Sequence, residues 1–354
     1  MKNMLETLRS YADAGKYKRV PVSRELYADA FTPVEVMRTL RAASRHCYLL
    51  ESAEDKQRWG RYSFLGYAPT MEITCTDGHV IITEGGEEEE KSRREFDTDH
   101  PGEVLRKILE DYRSPVMDGM PPFTGGLVGY FSYDYMKYVE PSLKSVLNRK
   151  QDGKNGQEFR DMDLMLFDKV IVFDNYRQKL ILITGVSLEG DLEKNYGKAL
   201  KELDDMERLI KSGAKADFRP LELEEPKPEA DQETYCQMVE KAKEYIRDGD
   251  IFQVVLSNPM TAKAKGSLFD TYRVLRTTNP SPYMFYFSSD DIEVAGGVSR
   301  DTGKTGERTA LYISACGYKT EGEDRGGRPA AGERTSKGRE RAGRAQYAGG
   351  SRKK

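Results

Sequence analysis

Apolar residues recur every three or four positions over residues 33–43 (PVEVMRTLRAA), which predicts a helix. The same spacing in EVLRKILEDY puts Val104, Leu105, Ile108, Leu109 and Tyr112 on one face of a second. A longer stripe runs through Leu192, Tyr196, Ala199, Leu200, Leu203, Met206, Leu209 and Ile210, and Gly213 is a natural stop for it. A further helix opens at Asp231, with Tyr235, Met238, Val239, Ala242, Tyr245 and Ile246 on one face and Asp248-Gly249 at its end. Other runs have strand character. CYLLES reads as a strand ending in Glu51 and Ser52, and EITCTDGHVIITE as a hairpin turning at Asp77-Gly78. FTGGLVGYFSYD (residues 123–134) is apolar but interrupted by Gly125, Gly126 and Gly129, which predicts a buried strand with close backbone approach. DLMLFDKVIVFDNYRQKLILITGV reads as a strand–turn–strand unit and IFQVVLSN as the start of a strand. SLFDTYRVLRTTNPSPY reads as helix then turn, and MFYFSSDDIEVAG as a strand pair. Antiparallel hairpins with helices interspersed predict an α+β fold, its helices packed outside antiparallel sheets.

The pattern sets an organisation. Residues 10–213 form a first region, and residues 214–230 (AKADFRPLELEEPKPEA) are polar, acidic and proline-containing, as a linker would be. Residues 231–296 open a new unit. From Gly297 the character changes. Residues 297–354 hold 12 Gly and 14 Lys+Arg against 7 Asp+Glu, a net charge of +7, and leave −10 for residues 1–296. A basic, glycine-rich tail with scattered apolar residues predicts disorder and no packed core.

Charge and composition exclude some functions. The acidic body argues against general nucleic-acid binding. No apolar run approaches the roughly 18 residues of a membrane span. The start, MKNMLETLRSYADAGKYKRV, lacks the apolar stretch of a signal peptide, so a cytoplasmic protein is expected. Cys47, Cys75, Cys236 and Cys316 are far apart, without metal-type spacing, and read as buried free thiols. His46, His79 and His100 form no constellation.

Taken one at a time, the motifs are ordinary. LLES is a strand end. The glycines of FTGGLVGYFSYD permit strand packing, and no Gly-Lys-Ser/Thr follows to make a phosphate loop. GDIFQVVLSN is a helix stop and a strand, and NPSPYMFY a turn into a strand. Their order is specific. LLES, GRYSFLG, GGLVGYFSYD, an acidic linker, GDIFQVVLSN and NPSPYMFY together resemble the large subunit of anthranilate synthase, component I, over nearly all of residues 10–296. That family belongs to the chorismate-utilising enzymes. NPSPYM with LLES favours this branch over aminodeoxychorismate synthase component I and the isochorismate or salicylate synthases.

The resemblance implies a regulatory and framework region, then a chorismate-binding region starting near Asp231. It implies that chorismate and ammonia give anthranilate and pyruvate with Mg²⁺, in tryptophan biosynthesis. A glutamine amidotransferase subunit would supply the ammonia. It implies feedback inhibition by tryptophan, whose pocket matches Ser52, Pro282, Tyr283 and Met284, with Glu51 as a neighbour. A hydroxyl and backbone groups would hold the amino-acid head, and Met and Pro would line an apolar slot for indole. Tyr62 and Ser63 of GRYSFLG are weaker candidates, for which local packing is an equal explanation.

The tail departs from the family. After EVAG the family continues into a motif resembling ASPETLVKLENG, where this chain reads GVSRDTGKTGER. The last two bases of each tail codon plus the first base of the next permit A-S-P-E-T-L-V-K-L-E-N-G from Gly297 through Arg308, residue for residue. Ile313 through Asp324 permit F-P-L-A-G-T-K-P-R-G-K-T, and Ala345 through Lys354 permit H-N-M-L-V-D-L-G-R-N. The family's next residues put TGA in the displaced frame after Lys354. A one-base displacement at about Gly296/Gly297 is therefore expected, leaving the fold incomplete at its C-terminus. The family's Mg²⁺-binding glutamates and catalytic groups lie beyond Gly296, so no catalytic or metal residue is expected here and the chain is expected to be inactive. Two other readings remain open: a non-catalytic tryptophan- or partner-binding fragment, and a basic tail that binds RNA.

Overall fold

The computed structural model describes residues 2–52, 60–85, 92–143, 159–298, 316–318 and 343–348. Two compact units divide the chain, one within residues 1–49 and 61–216, the other within residues 50–60 and 217–354.

The first unit holds helices α1 (Lys2–Ala14), α2 (Pro33–Ala43), α3 (Pro101–Asp111), α4 (Met136–Val139) and α5 (Leu192–Lys211). Its strands are β1 (Arg19–Tyr27), β2 (Cys47–Glu51, shared with the second unit), β3 (Tyr62–Tyr67), β4 (Met71–Thr76) and β5 (His79–Glu84). They continue with β6 (Ser92–Asp97), β7 (Gly126–Phe131), β8 (Met162–Phe167), β9 (Val170–Asp174) and β10 (Lys179–Ser187). α2 starts where Thr32 accepts a hydrogen bond from the Glu35 amide, with Pro33 following. α5 starts in the same way at Asp191, and Gly213 beyond its end takes a left-handed φ of 71°. α1 and β1 had no clear sequence signal.

One set of strands runs in the order β1-β10-β9-β3-β2, with β1–β10, β10–β9 and β9–β3 antiparallel. α5 packs on β10 and meets α1 and α2, burying Ala199, Leu203, Met206 and Ile210 of the predicted stripe. The second sheet, β6-β5-β4-β8-β7, is antiparallel throughout. α3 covers it through Leu105 and Ile108, which pack with Met71, Ile73, Val80, Ile82, Met162, Leu164 and Leu166. Leu109, expected on the same face, is exposed. The β4–β5 hairpin turns at Asp77 and Gly78, both at positive φ (51° and 84°), as the Asp-Gly pair predicts.

Two corrections concern strands. The single strand–turn–strand unit expected over residues 163–186 is three strands, because Asp168 and Lys169 carry the chain from one sheet to the other. β7 was expected to be buried, yet it is a half-exposed edge strand with Phe131 outside. The close approach is real. A Cβ on Gly129 would sit 2.0 Å from the Asp163 carbonyl oxygen, and Gly125 has a φ of +143° beside the Phe167 carbonyl.

The second unit contains β11 (Glu222–Leu223), β12 (Lys227–Pro228), α6 (Gln232–Asp248), β13 (Pro259–Lys265), α7 (Phe269–Thr278), β14 (Tyr283–Ser288) and β15 (Glu293–Val298). β16 (Cys316–Tyr318) pairs with β15, and β17 (Gly343–Ala348) with β13. The other residues beyond 298, including most of the expected tail, lie outside the described residues. β11 and β12, inside the polar stretch 214–230, both pair with β13. α6 begins with Asp231 accepting from the Thr234 amide and ends at Gly249 with φ 84°. On its apolar face Met238, Tyr245 and Ile246 are exposed, and no α6 residue is fully buried among the described residues. Cys236 on this helix is likewise exposed, against the expectation for all four thiols, whereas Cys47 and Cys75 are buried. IFQVVLSN, expected as a strand, is irregular, with Phe252 fully exposed and Val255 82 % exposed. A strand needs a paired neighbour and an apolar face needs a cover, and the described residues supply neither here. The strand forms one step later, at β13.

Candidate functional site

The candidate residues from the start and the end of the chain meet in the second unit around α7. β2 ends at Glu51, a carboxylate only 8 % exposed. Its Oε1 accepts a 2.6 Å hydrogen bond from the Tyr272 hydroxyl, and its Oε2 a 2.7 Å charge-assisted bond from Arg276 Nη2. Tyr272 and Arg276 are four residues apart on α7, so both face the same way. Burial first, then the Glu51 charge, keeps the Tyr272 hydroxyl protonated far above the usual tyrosine range. Ser52 follows Glu51 and is half-buried.

α7 is held at its other end as well. Leu268, the residue preceding it, offers no side-chain cap. Glu293 of β15, 1 % exposed, fills that role by accepting from the Leu268 amide at 2.7 Å and from the Ser267 hydroxyl at 2.9 Å. An acidic group at a helix N-terminus also complements the helix dipole. The helix thus lies between two buried carboxylates, and five residues after its end the chain reaches Tyr283.

Ser281, Pro282 and Met284 are buried, while Tyr283 is 45 % exposed. The Ser281 hydroxyl accepts from the Tyr283 amide at 3.3 Å and so shapes the turn into β14. Met284 pairs with Gly297 across the β14–β15 ladder. A Cβ on Gly297 would fall 2.7 Å from the Met284 sulfur, so the glycine leaves room for the thioether. Two residues on, Tyr286 packs against Tyr272, with ring centres 5.9 Å apart. Glu51 is therefore linked through Tyr272 to the strand that carries Met284. Sequence reasoning singled out Glu51 and the Pro282–Met284 turn but not Tyr272, Arg276 or Glu293. The i, i+4 Tyr–Arg pair in DTYRVLR was the signal to find.

Tyr62 and Ser63 lie on β3 in the first unit. The Ser63 hydroxyl accepts from Asn175 Nδ2 at 3.2 Å, and the Arg61 guanidinium sits 4.7 Å over the Tyr62 ring. Both contacts are local. The first unit has its own buried polar cluster. Lys137, 3 % exposed, pairs with Asp77 at 2.6 Å and Asp161 at 2.9 Å. The Tyr138 hydroxyl donates to Asp161 at 2.7 Å and accepts from the Gly78 amide at 2.6 Å. The cluster ties YDYMKY to the Asp77-Gly78 turn.

Among the described residues no group of three or more His, Cys, Asp or Glu side chains could hold a metal ion, so none is assigned to Mg²⁺. Nor does any helix among them have the length and apolar character to cross a membrane.

Residues 45–299 match the family described as chorismate binding enzyme, a span that takes in β2, α7 and β14–β15. The chain belongs to the chorismate binding enzyme family. Anthranilate synthase component 1 of Acetivibrio thermocellus is 33% identical over 291 residues, which cover 80% of this chain and 56% of that protein. The protein of the same name from Pseudomonas aeruginosa is 35% identical over 298 residues, covering 83% of this chain and 58% of its own length. The chain thus spans about half the length of these relatives. The crystal structure of anthranilate synthase component I from Streptococcus pneumoniae is 26% identical with a TM-score of 0.49, covering 67% of this chain and 50% of that one. Within the chorismate binding enzyme family, then, this chain carries antiparallel sheets and the α7 region.

Proposed function

We propose that the gene behind this chain specifies the large subunit of anthranilate synthase. Its complete product would convert chorismate and ammonia to anthranilate, pyruvate and water in tryptophan biosynthesis. Mg²⁺ would assist, a glutamine amidotransferase subunit would supply ammonia, and the enzyme would work in the cytoplasm. Relatives named anthranilate synthase component 1 support the reading.

The observation that carries the rest of the proposal is where the family match stops. It ends at residue 299, while the chain continues to residue 354. The codon degeneracy of residues 297–354 supports a one-base displacement of the reading frame at about Gly296/Gly297. With the frame displaced, residues 297–354 would not carry the family's catalytic motifs, and this polypeptide would be inactive. Purified chain given chorismate, an ammonium salt and Mg²⁺ is expected to yield no anthranilate fluorescence, and fluorescence at a steady rate would overturn this reading. Sequencing codons 294–298 tests the displacement. An uninterrupted frame with no family sequence in the adjacent one would sink it.

The Glu51 cluster, which ties β2 through Tyr272 to the strand carrying Met284, supports a second property. Glu51, Ser52, Pro282, Tyr283 and Met284 form a tryptophan effector site, and this chain is a non-catalytic tryptophan-binding fragment. Ser52 and nearby backbone groups take the amino-acid head, while Pro282 and Met284 face the indole. Calorimetry with L-tryptophan tests it, and an absence of binding heat at saturating ligand would refute it.

A further inference from the structure

We propose that Tyr272 and Arg276 are positioning residues of the effector site, acting on the ligand through Glu51; the inference rests on the effector-site reading above. Both Glu51 oxygens already accept strong hydrogen bonds, at 2.6 and 2.7 Å. The Arg276 charge cancels that of the carboxylate, so Glu51 is a poor attractor for a ligand ammonium. It is well placed for another task. It is the last residue of β2, and Ser52 is next in the chain. Holding its side chain fixes where the Ser52 hydroxyl and the adjoining backbone groups sit. The anchor it is held to is α7, whose N-terminus is itself tied by Glu293 and whose C-terminus runs into Ser281 and Pro282. The same helix therefore locates the head-group end and the indole end of the site. The Tyr272–Tyr286 ring contact adds a second tie to β14. The carboxylate of Glu51 thus sets the distance between two parts of a pocket and does not itself bind.

The test is calorimetry with L-tryptophan on the full chain and on Glu51→Gln, Arg276→Gln, Arg276→Lys, Tyr272→Phe and the Glu51→Gln/Arg276→Gln double variant. Arg276→Gln should weaken binding about tenfold or more, the scale of one lost hydrogen bond to a charged group. Arg276→Lys, which keeps the charge and a donor, should restore most of the affinity. The double variant should lose no more than the worse single one, because both act through one contact. Tyr272→Phe removes only a hydroxyl, but one that donates to the same carboxylate, and should also weaken binding about tenfold. It carries the test if Arg276→Gln loses its near-UV circular dichroism. Unchanged affinity in Arg276→Gln, or in Tyr272→Phe where that variant decides, overturns the inference and leaves the effector site standing. Losses that multiply in the double variant also overturn it, since they mark independent structural damage. No binding by the unmodified chain removes the effector site and this inference together.

Discussion

Adding one methyl group at Gly129 should cost more than removing many surface contacts. The Cβ of alanine there would lie 2.0 Å from the Asp163 carbonyl oxygen and 2.9 Å from Leu164 Cα. Ordinary contact begins at 3.4 Å, so β7 and β8 must part locally by about 1.4 Å. These atoms are backbone and have no rotamer to escape into. Ladder hydrogen bonds around the Gly129–Leu164 pair would stretch beyond useful length. Two such bonds at about 0.5–1.5 kcal/mol each, with some strain in neighbouring packing, give a loss of about 2–3 kcal/mol. Gly197 on α5 is the control, because a Cβ there meets nothing within 4 Å. Gly197→Ala should gain about 1 kcal/mol from helix propensity. With a urea m-value of about 2 kcal/mol/M, the two variants should unfold at midpoints separated by about 1.5 M or more, on either side of the parent. Urea titration followed by far-UV circular dichroism decides the matter. A Gly129→Ala midpoint at or above that of the parent would refute the claim that close approach, and not chain flexibility, fixes glycine in GGLVGY.

Further outcomes follow from the charged clusters and the open helix. Lys137→Met leaves Asp161 buried without its cation and should cost about 3–5 kcal/mol in chemical unfolding, with part recovered in Lys137→Met/Asp161→Asn. At high pH the sign is fixed by Lys137 and Tyr138. For Lys137 burial works against the charge, but the bonds to Asp77 and Asp161 outweigh it and raise the pKa; Tyr138 is raised by burial and by Asp161. Groups raised on folding stabilise below their unfolded pKa and lose that contribution above it, so the midpoint should fall as pH climbs past about 10. A flat profile to pH 11 would count against the cluster. At the acid end, burial pushes Asp174 up, but bonds from Arg61 and the Arg177 and Tyr176 amides leave it lowered overall. That stability is present above the usual aspartate value and lost as pH falls below about 4, so Asp174→Asn should flatten the acid limb. The exposed Met238 and Ile246 on α6 should promote self-association, and Met238→Glu/Ile246→Lys should shift the light-scattering mass toward the monomer.

Much of the local structure was legible because its causes are local. The Asp77-Gly78 turn, the helix start at Asp231 and the stops at Gly213 and Gly249 each follow from one or two residues acting on nearby backbone. Failures came where a segment's state depends on a distant neighbour. The apolar run 251–256 has strand composition but no pairing partner among the described residues, and the α6 stripe has nothing over it there. β7 is apolar yet sits at an edge, which composition alone does not reveal. At the candidate site, motif order pointed to Glu51 and to the turn at Pro282. Their link through Tyr272 and Arg276 was hidden, because hydrogen bonds between residues more than 200 positions apart leave no mark on spacing.

That separation has a consequence in time. Glu51 leaves the ribosome 221 residues ahead of Tyr272 and 225 ahead of Arg276. At about 5–20 residues per second the carboxylate waits roughly 10–45 s for the groups that will bury it. Throughout that interval it is hydrated and charged, and water holds the end of β2 open. A nascent chain stalled before α7 can complete much of the first unit but has no means of closing the second. Among the described helices, the last to emerge is the one that gives the acidic end of β2 its place.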